Sequence, residues 1–387
     1  MSNFLHPADW SFPVPIVYGP GRIDELGKLC KVNEINRPLI VTDRGSAHLP
    51  FIKRSQDILN KENLKTNLFS DISPNPLDIE IQTGKAIFED GKHDAVIAIG
   101  GGSGMDGGKA ISLLANNDFG LWDFDNDKTE IKDIKKFPNL ICIPTTSGTG
   151  AETESTAMVT HSDLKMKLCV WHPNQKPIAA LLDPELTLEL PTKLTAWTGV
   201  DALVHAIEAY SINSLYSVAD GMAIEALTLI GRYLKKAVNS PHDLEARGAM
   251  LVGSCLAGIS FKKGLGLVHA ISHMIGAIYD TQHGLTNAIL LPSILRFNKK
   301  TINQKSKMMN FATFNETAGY ESFYANICNL LDDLEINKGL ESLGVTSDKA
   351  TELALKASKD AAAQTNPRKA SVAQLETLIL DSLQNAR

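Results

Sequence analysis

The stretch "HDAVIAIGGGSGMDGGKAI", residues 93–111, decides the reading of the fold. Ala95 to Ile99 are apolar without interruption, which suits a strand buried on both faces. A glycine-rich turn follows, and then a helical pattern. Strand, glycine turn and helix in that order suit phosphate binding, because glycines let the backbone approach closely and the helix N-terminus offers free N–H groups. Residues 102–107 match G-x-G-x-x-G. Alone the match is weak: it does not follow the first strand of the chain, and a tight turn without a ligand explains it about as well.

Outward from this unit, "RPLIVTD" (37–43), "NLKTNLFSD" (63–71) and "NLICIPTTS" (139–147) are β-rich runs bounded by Gly, Pro, Asn or Asp and separated by helical patterns. The alternation predicts an α/β N-terminal domain, residues 1–188, built on a Rossmann-like parallel sheet. A second strand-to-loop unit, "ICIPTTSGTGAE" (141–152), places hydroxyls and glycines at the carboxyl end of another strand, where ligands of such sheets bind. Two such loops favour a dinucleotide or phosphate ligand. Asp43, ending an early strand, can take both hydroxyls of an adenosine ribose and repel a 2′-phosphate, so NAD is predicted over NADP. Two competing readings are that Asp43 only caps a turn and that neighbouring Arg44 favours the 2′-phosphate.

After "LDPELTLELPTKLTAW" (182–197) strand-like runs become scarce, and long helical segments such as "ADGMAIEALTLIGRYLKKAV" (219–238) take over. An all-α C-terminal domain over residues 189–387 is predicted. The charged stretch "DNDKTEIKDIKK" (125–136) reads as a solvated loop. A formal charge of −6 supplies no basic field, which argues against nucleic acid as a partner. The opening lacks a basic start followed by an apolar run, and apolar stretches such as "LVGSCLAGISF" fall short of a membrane span, so a cytoplasmic protein with no membrane partner is expected. Five scattered cysteines without CxxC spacing read as packing residues.

Two segments of the second half carry ionisable groups among apolar neighbours. "GVDALVHAIEAYS" (199–211) places Asp201 and His205 four residues apart, on one face of a helix. "GLGLVHAISHMIGAIYDTQHG" (264–284) repeats the spacing with His269 and His273, and His283 follows a turn. A buried imidazole needs a partner, and one Asp with four His in two short apolar segments points to a metal ion held by three nitrogens and a carboxylate oxygen. Spacing does not say which histidine is left out. Dinucleotide and metal in one chain together read as hydride transfer with Lewis-acid help.

At this point the motifs carry a resemblance. From "PVPIVYGPGRIDELG" through "GGGSGMDGGKA", "PTTSGTGAE" and "LLDPELTLELP" to the two histidine segments and the late "TNPRKAS", the chain resembles the iron-dependent alcohol dehydrogenases over nearly its whole length. The resemblance implies the two-domain plan shared with dehydroquinate synthase. It implies Asp201, His205, His269 and His283 as ligands of Fe2+, a set that also accepts Zn2+, with His273 unbound. It further implies that Gly100, Gly101, Gly102, Ser103, Gly104, Asp106, Thr145, Thr146, Lys167 and Leu186 contact NAD, with Asp43 at the ribose, and that the chain forms a homodimer. Glu154 departs from the family pattern where a threonine near the nicotinamide is usual, and Gly104 replaces a frequent proline. The expected reaction is reversible oxidation of a small primary alcohol or diol to its aldehyde, with His273 as candidate proton relay. The alternatives are a lyase resembling dehydroquinate synthase and a non-catalytic protein that binds metal and nucleotide.

Overall fold

A computed structural model describes residues 14–132 and 134–384. Much of the opening segment and Asp133 of the charged stretch lie outside the described residues. Two compact units emerge: residues 14–146 with 151–189, and residues 147–150 with 190–384. The four-residue loop Ser147–Gly150, read above as part of the α/β half, groups with the helical unit. Its reason is close backbone packing: a Cβ on Gly150 would lie 2.5 Å from the Gly258 Cα.

The first unit runs Ile16–Tyr18 (β1), Leu26–Val32 (α1), Pro38–Asp43 (β2), Pro50–Lys61 (α2), Asn67–Ile72 (β3), Asp78–Asp90 (α3), Ala95–Gly100 (β4), Gly102–Leu114 (α4), Asn139–Pro144 (β5), Thr156–His161 (β6), Met166–Trp171 (β7) and Ala179–Leu182 (β8). Six strands form one sheet in the order β1-β8-β5-β4-β2-β3, and every pairing is parallel. Strands β6 and β7 form a separate antiparallel pair, which the wholly parallel reading did not anticipate. Ala157, Val159 and Val170 of the pair are buried in the first core layer.

The period of two along the strands divides the core into two layers. Val96, Ala98, Leu39, Val41, Leu140 and Cys142 face one layer with Ile81, Phe88 and Ile111 of α3 and α4. Ile97, Ile99, Ile40, Ile141 and Ile143 face the other with Leu26, Phe51 and Leu59 of α1 and α2. Each fully buried aliphatic side chain contributes about 1.5–3 kcal/mol relative to exposure, so the sheet is held from both sides. Asp183, just after β8, accepts from the Gly21 and Ile23 N–H groups at 3.1 and 2.9 Å and so fastens the segment after β1.

Helix α4 presses closely on the sheet because two glycines face it. A Cβ on Gly108 would lie 2.5 Å from the Ala98 Cβ, and one on Gly107 would lie 2.9 Å from Ile72. Gly108→Ala is therefore expected to destabilise the protein by about 1–3 kcal/mol, the usual range for overpacking. Urea unfolding measures it; an unchanged midpoint would mean that α4 can shift outward without loss.

The second unit is helical: Thr192–Ser211 (α5), Ser217–Asn239 (α6), Leu244–Ser260 (α7), Leu267–Tyr279 (α8), His283–Phe314 (α9), Tyr320–Asp333 (α10), Ala350–Ala357 (α11), Ala361–Thr365 (α12) and Val372–Asp381 (α13). Helix α5 is buried almost all round, packed against α6, α7 and α9. The segment Leu244–Lys263 is long and apolar enough to cross a membrane, but 67% of its apolar window is buried inside the protein, as in a core helix. No disulfide forms among the described residues, and Cys30, Cys142 and Cys255 are buried.

Candidate functional site

The strand order explains why the glycine turn matters although it follows a later strand. From β2 the chain moves outward to β3, then returns to place β4 on the other side of β2, so the loops after β2 and β4 flank the point where strand order reverses. Ligands of open α/β sheets bind there. The geometry is tight: Gly100 has φ +144°, and a Cβ there would lie 2.9 Å from Asp43 Oδ2. Gly101 precedes α4 in extended conformation with no side-chain cap, which leaves the N–H groups of the first turn, Gly102 to Gly104, for an anion. Asp106 follows on the same helix, and Thr145 N–H donates to the Gly100 carbonyl at 2.9 Å. Thr146 packs beside Gly101.

Asp43 also caps a local turn, accepting from Ser46 N at 3.0 Å and Ser46 Oγ at 2.8 Å. Arg44 is tied elsewhere: its guanidinium donates to Asp71 at 2.5 Å, Ser73 at 2.6 Å and Glu80 at 2.9 Å. That engagement removes the argument for a 2′-phosphate. Of the other residues implied by resemblance, Lys167 lies on β7 with Nζ 3.1 Å from Asn75 Oδ1. Leu186 sits in a short 3-10 turn, buried within the second core layer.

Glu154, the departure from the family pattern, has a structural partner. Its Oε1 lies 2.8 Å from Nζ of the fully buried Lys109, and its Oε2 accepts from Thr156 N and Oγ1. Glu152 beside it makes no ion pair among the described residues, and its Oε1 is buried with no hydrogen-bond partner among them. Burial pushes its carboxyl up to about 7, well above the ordinary range of a glutamate. A carboxyl raised in the folded state binds more protons folded than unfolded, so it costs stability progressively as pH rises from about 4.5 to about 7, and by a constant amount above that. The cost corresponds to roughly 3 kcal/mol. Glu152→Gln is expected to unfold at higher urea than wild type near pH 8 and at a similar concentration near pH 4.5; parallel curves at both would show that the carboxyl is not perturbed.

In the helical unit three helices bring the sequence-predicted groups together. Asp201 and His205 lie one turn apart on α5; His269 comes from α8 and His283 from the first turn of α9. Gly284 allows the approach, since a Cβ there would lie 2.3 Å from the Trp197 carbonyl oxygen of α5. Donor atoms of Asp201, His205 and His269 lie within 4.8 Å of one another, and all three residues are buried. His283 Nε2 is 3.6 Å from Asp201 Oδ1. His273 sits at the margin, its ring centroid 5.5 Å from that of His283, and its Nδ1 donates to Asp360 at 2.9 Å.

The electrostatics favour a bound cation. Burial opposes the charge on Asp201, but His205, His283 and His269 hold its carboxyl far below the ordinary range. Burial lowers His205 to about 4, which keeps its ring neutral and its lone pair available. Burial works against charge on His269 too, but Asp201 and Glu208 outweigh it and bring it to about 9. Asn287 Nδ2 lies 2.7 Å from Asp201 Oδ1, 3.2 Å from His269 Nε2 and 3.1 Å from His283 Nε2. Several acceptors thus converge on one small region. Asn287 Oδ1 and His205 Nδ1 are buried with no hydrogen-bond partner among the described residues. Three imidazoles and one carboxylate, gathered in a buried site with orphaned polar atoms, fit a divalent transition metal, whose binding would displace the extra proton of His269.

Sequence reasoning missed Glu208, Asn287 and Asp360. Glu208 continues the Asp201–His205 face of α5, and Asn287 follows His283 by one turn, so helical spacing could have flagged both. Asp360 meets His273 across 87 residues of chain, and no local pattern announces it.

The bare helix N-terminus at the sheet's switch point and the buried histidine–carboxylate cluster define a class, a metalloprotein that binds a dinucleotide. Comparison with known proteins makes it specific. Residues 13–184 match the family described as iron-containing alcohol dehydrogenase, and residues 195–383 match the C-terminal part of the Fe-containing alcohol dehydrogenase family. The chain is similar to an NAD-dependent methanol dehydrogenase of Bacillus methanolicus, 34% identical over 99% of this chain and 100% of that protein. It is also similar to a 1,3-propanediol dehydrogenase of Klebsiella pneumoniae, 32% identical over 93% and 95% of the two chains. The crystal structure of a 1,3-propanediol oxidoreductase superposes with a TM-score of 0.91 at 30% identity, covering 97% of this chain and all of the other. The chain belongs to the iron-containing alcohol dehydrogenase family. Its activity is NAD-dependent interconversion of small alcohols and aldehydes, with Fe2+ as the metal.

Proposed function

We propose that Asp201, His205, His269 and His283 hold the metal ion, that His273 relays a proton, and that the substrates are short primary alcohols and diols. The observation that carries this reading is the buried convergence of Asp201, His205 and His269 within 4.8 Å. A divalent ion there supplies Lewis acidity, which lowers the pKa of an alcohol and polarises a carbonyl. Bound NAD supplies the hydride acceptor. The chain's own residues do the rest. Asp201 contributes the one negative charge of the set, and the apolar helices around it exclude water, which strengthens every electrostatic contact inside. His273, its Nδ1 held by Asp360, is placed to carry a proton to or from the substrate oxygen.

On the nucleotide side, the turn Gly100, Gly101, Gly102, Ser103 and Gly104 cradles the pyrophosphate, with Asp106, Thr145, Thr146, Lys167 and Leu186 as further contacts. Asp43 takes the ribose hydroxyls. Support comes from the uncapped N-terminus of α4 and from the neutralisation of Arg44 by Asp71 and Glu80. Glu154 belongs to an internal ion pair and has no direct part in the reaction. The substrate class follows the relatives, whose names specify methanol and 1,3-propanediol. A homodimer in the cytoplasm completes the reading.

NADH formation over a panel of short alcohols and diols, with protein stripped by chelator and reloaded anaerobically with Fe2+ or Zn2+, tests it. Turnover that returns only with metal and is strongest on short primary alcohols or diols is expected. Full turnover without metal, or activity confined to secondary alcohols, would overturn it.

A further inference from the structure

Helix α5 carries a second acid that the reaction does not use. Glu208 lies one turn beyond His205 and is buried, yet its carboxylate is saturated with donors from another helix. It accepts from Gly266 N at 2.9 Å, Val268 N at 2.8 Å and His269 Nδ1 at 2.6 Å. The two backbone groups belong to the unsatisfied N-terminus of α8, so one side chain caps that helix and grips a histidine in its first turn.

The contact has a chemical consequence for the opposite ring nitrogen. In the neutral ring, the form that binds a metal, a carboxylate at Nδ1 makes that nitrogen the one carrying the proton, which leaves the Nε2 lone pair free. His269 Nε2 faces Asp201 Oδ1 at 3.7 Å and Asn287 Nδ2 at 3.2 Å, the region where the acceptors converge.

We propose that Glu208 is a positioning residue of the metal centre: it fixes the tautomer and ring orientation of His269 and raises its strength as a metal donor. The inference rests on the assignment of His269 as a ligand. Partners of this kind typically account for 10–100-fold in metal affinity.

The alternative is that Glu208 merely caps α8, and the structure supplies a control for it. Asn366 Oδ1 accepts from Leu267 N at 3.2 Å, so it caps the same helix end by a bond that does not involve His269. The experiment titrates chelator-stripped full-length protein with Co2+, following the visible d–d absorption and competition with a chelator, in wild type, Glu208→Gln, Asn366→Ala and His269→Ala. Glu208→Gln is expected to bind Co2+ about 10–100-fold more weakly, with shifted d–d bands and an apo unfolding midpoint lowered no more than in Asn366→Ala. Asn366→Ala should keep wild-type affinity within about twofold, well short of the 10–100-fold expected for Glu208→Gln.

Wild-type affinity and spectrum in Glu208→Gln, or an equal loss in Asn366→Ala, would overturn the proposal while leaving the ligand assignment intact. Wild-type binding by His269→Ala would overturn the ligand assignment, and the proposal with it. Should Glu208→Gln fail to fold, nitrogen-15 histidine spectra of the wild-type apoprotein, recorded at a pH above the value of about 9 to which its carboxylate neighbours bring His269, report the tautomer of the neutral ring directly. A proton on Nδ1 of His269 supports the proposal and one on Nε2 overturns it.

Discussion

Asp201→Asn is expected to abolish metal-dependent turnover, lowering kcat by at least about a thousandfold, while the protein still folds and still binds NAD. The substitution preserves shape and removes the only carboxylate of the proposed ligand set. Lewis-acid stabilisation is worth several kcal/mol, and each 1.36 kcal/mol is tenfold in rate, so about three powers of ten is a lower bound. The ground state argues the same way. Three histidines hold Asp201 ionised against the cost of burial, and Asn287 already donates to its Oδ1 at 2.7 Å. Asparagine at position 201 would remove the charge that compensates the cation. Metal content after dialysis and turnover with added Fe2+ measure the effect, and a variant with stoichiometric metal and near-normal kcat would sink the assignment.

His273→Ala should cost about 10²–10⁴ in kcat, the usual contribution of a positioned acid–base group, with metal content unchanged. The ring is buried beside His269 and His283, and Asp360 accepts from its Nδ1 at 2.9 Å. Asp360→Asn should produce a smaller loss of the same kind, because it weakens the orientation of the ring without removing it. The diagnostic readout is the pH dependence of kcat, which loses one limb in His273→Ala. If that variant kept wild-type kcat and pH profile, the ring would be a packing element and the relay would have to lie elsewhere.

Much of this architecture was legible because local chemistry and global fold agree. The run Ala95–Ile99 reads as a doubly buried strand and is one, and "RPLIVTD" and "NLICIPTTS" supply its neighbours on either side. The short strands β1 and β8 were not singled out: at three and four residues they carry too little pattern to stand apart from their surroundings. The β6–β7 pair also went unread, since "TAMVTH" and "MKLCVW" lack the polar–apolar alternation that marks an antiparallel pair.

The histidine cluster was legible in residue type and spacing, whereas the choice among the histidines came from resemblance. What escaped was the surrounding shell. Asp360 reaches the site from near the end of the chain, and the arrest of Arg44 by Asp71 and Glu80 depends on how β2, β3 and α3 pack. Such contacts are set by tertiary packing, and no short sequence window contains both partners.

The most direct test of the central claim is anomalous X-ray diffraction from crystals of iron-loaded protein, collected on both sides of the iron absorption edge. A single strong peak within bonding distance of Asp201, His205, His269 and His283, present above the edge and much weaker below it, is the expected result. No peak there, or a peak held by other residues, would contradict the account.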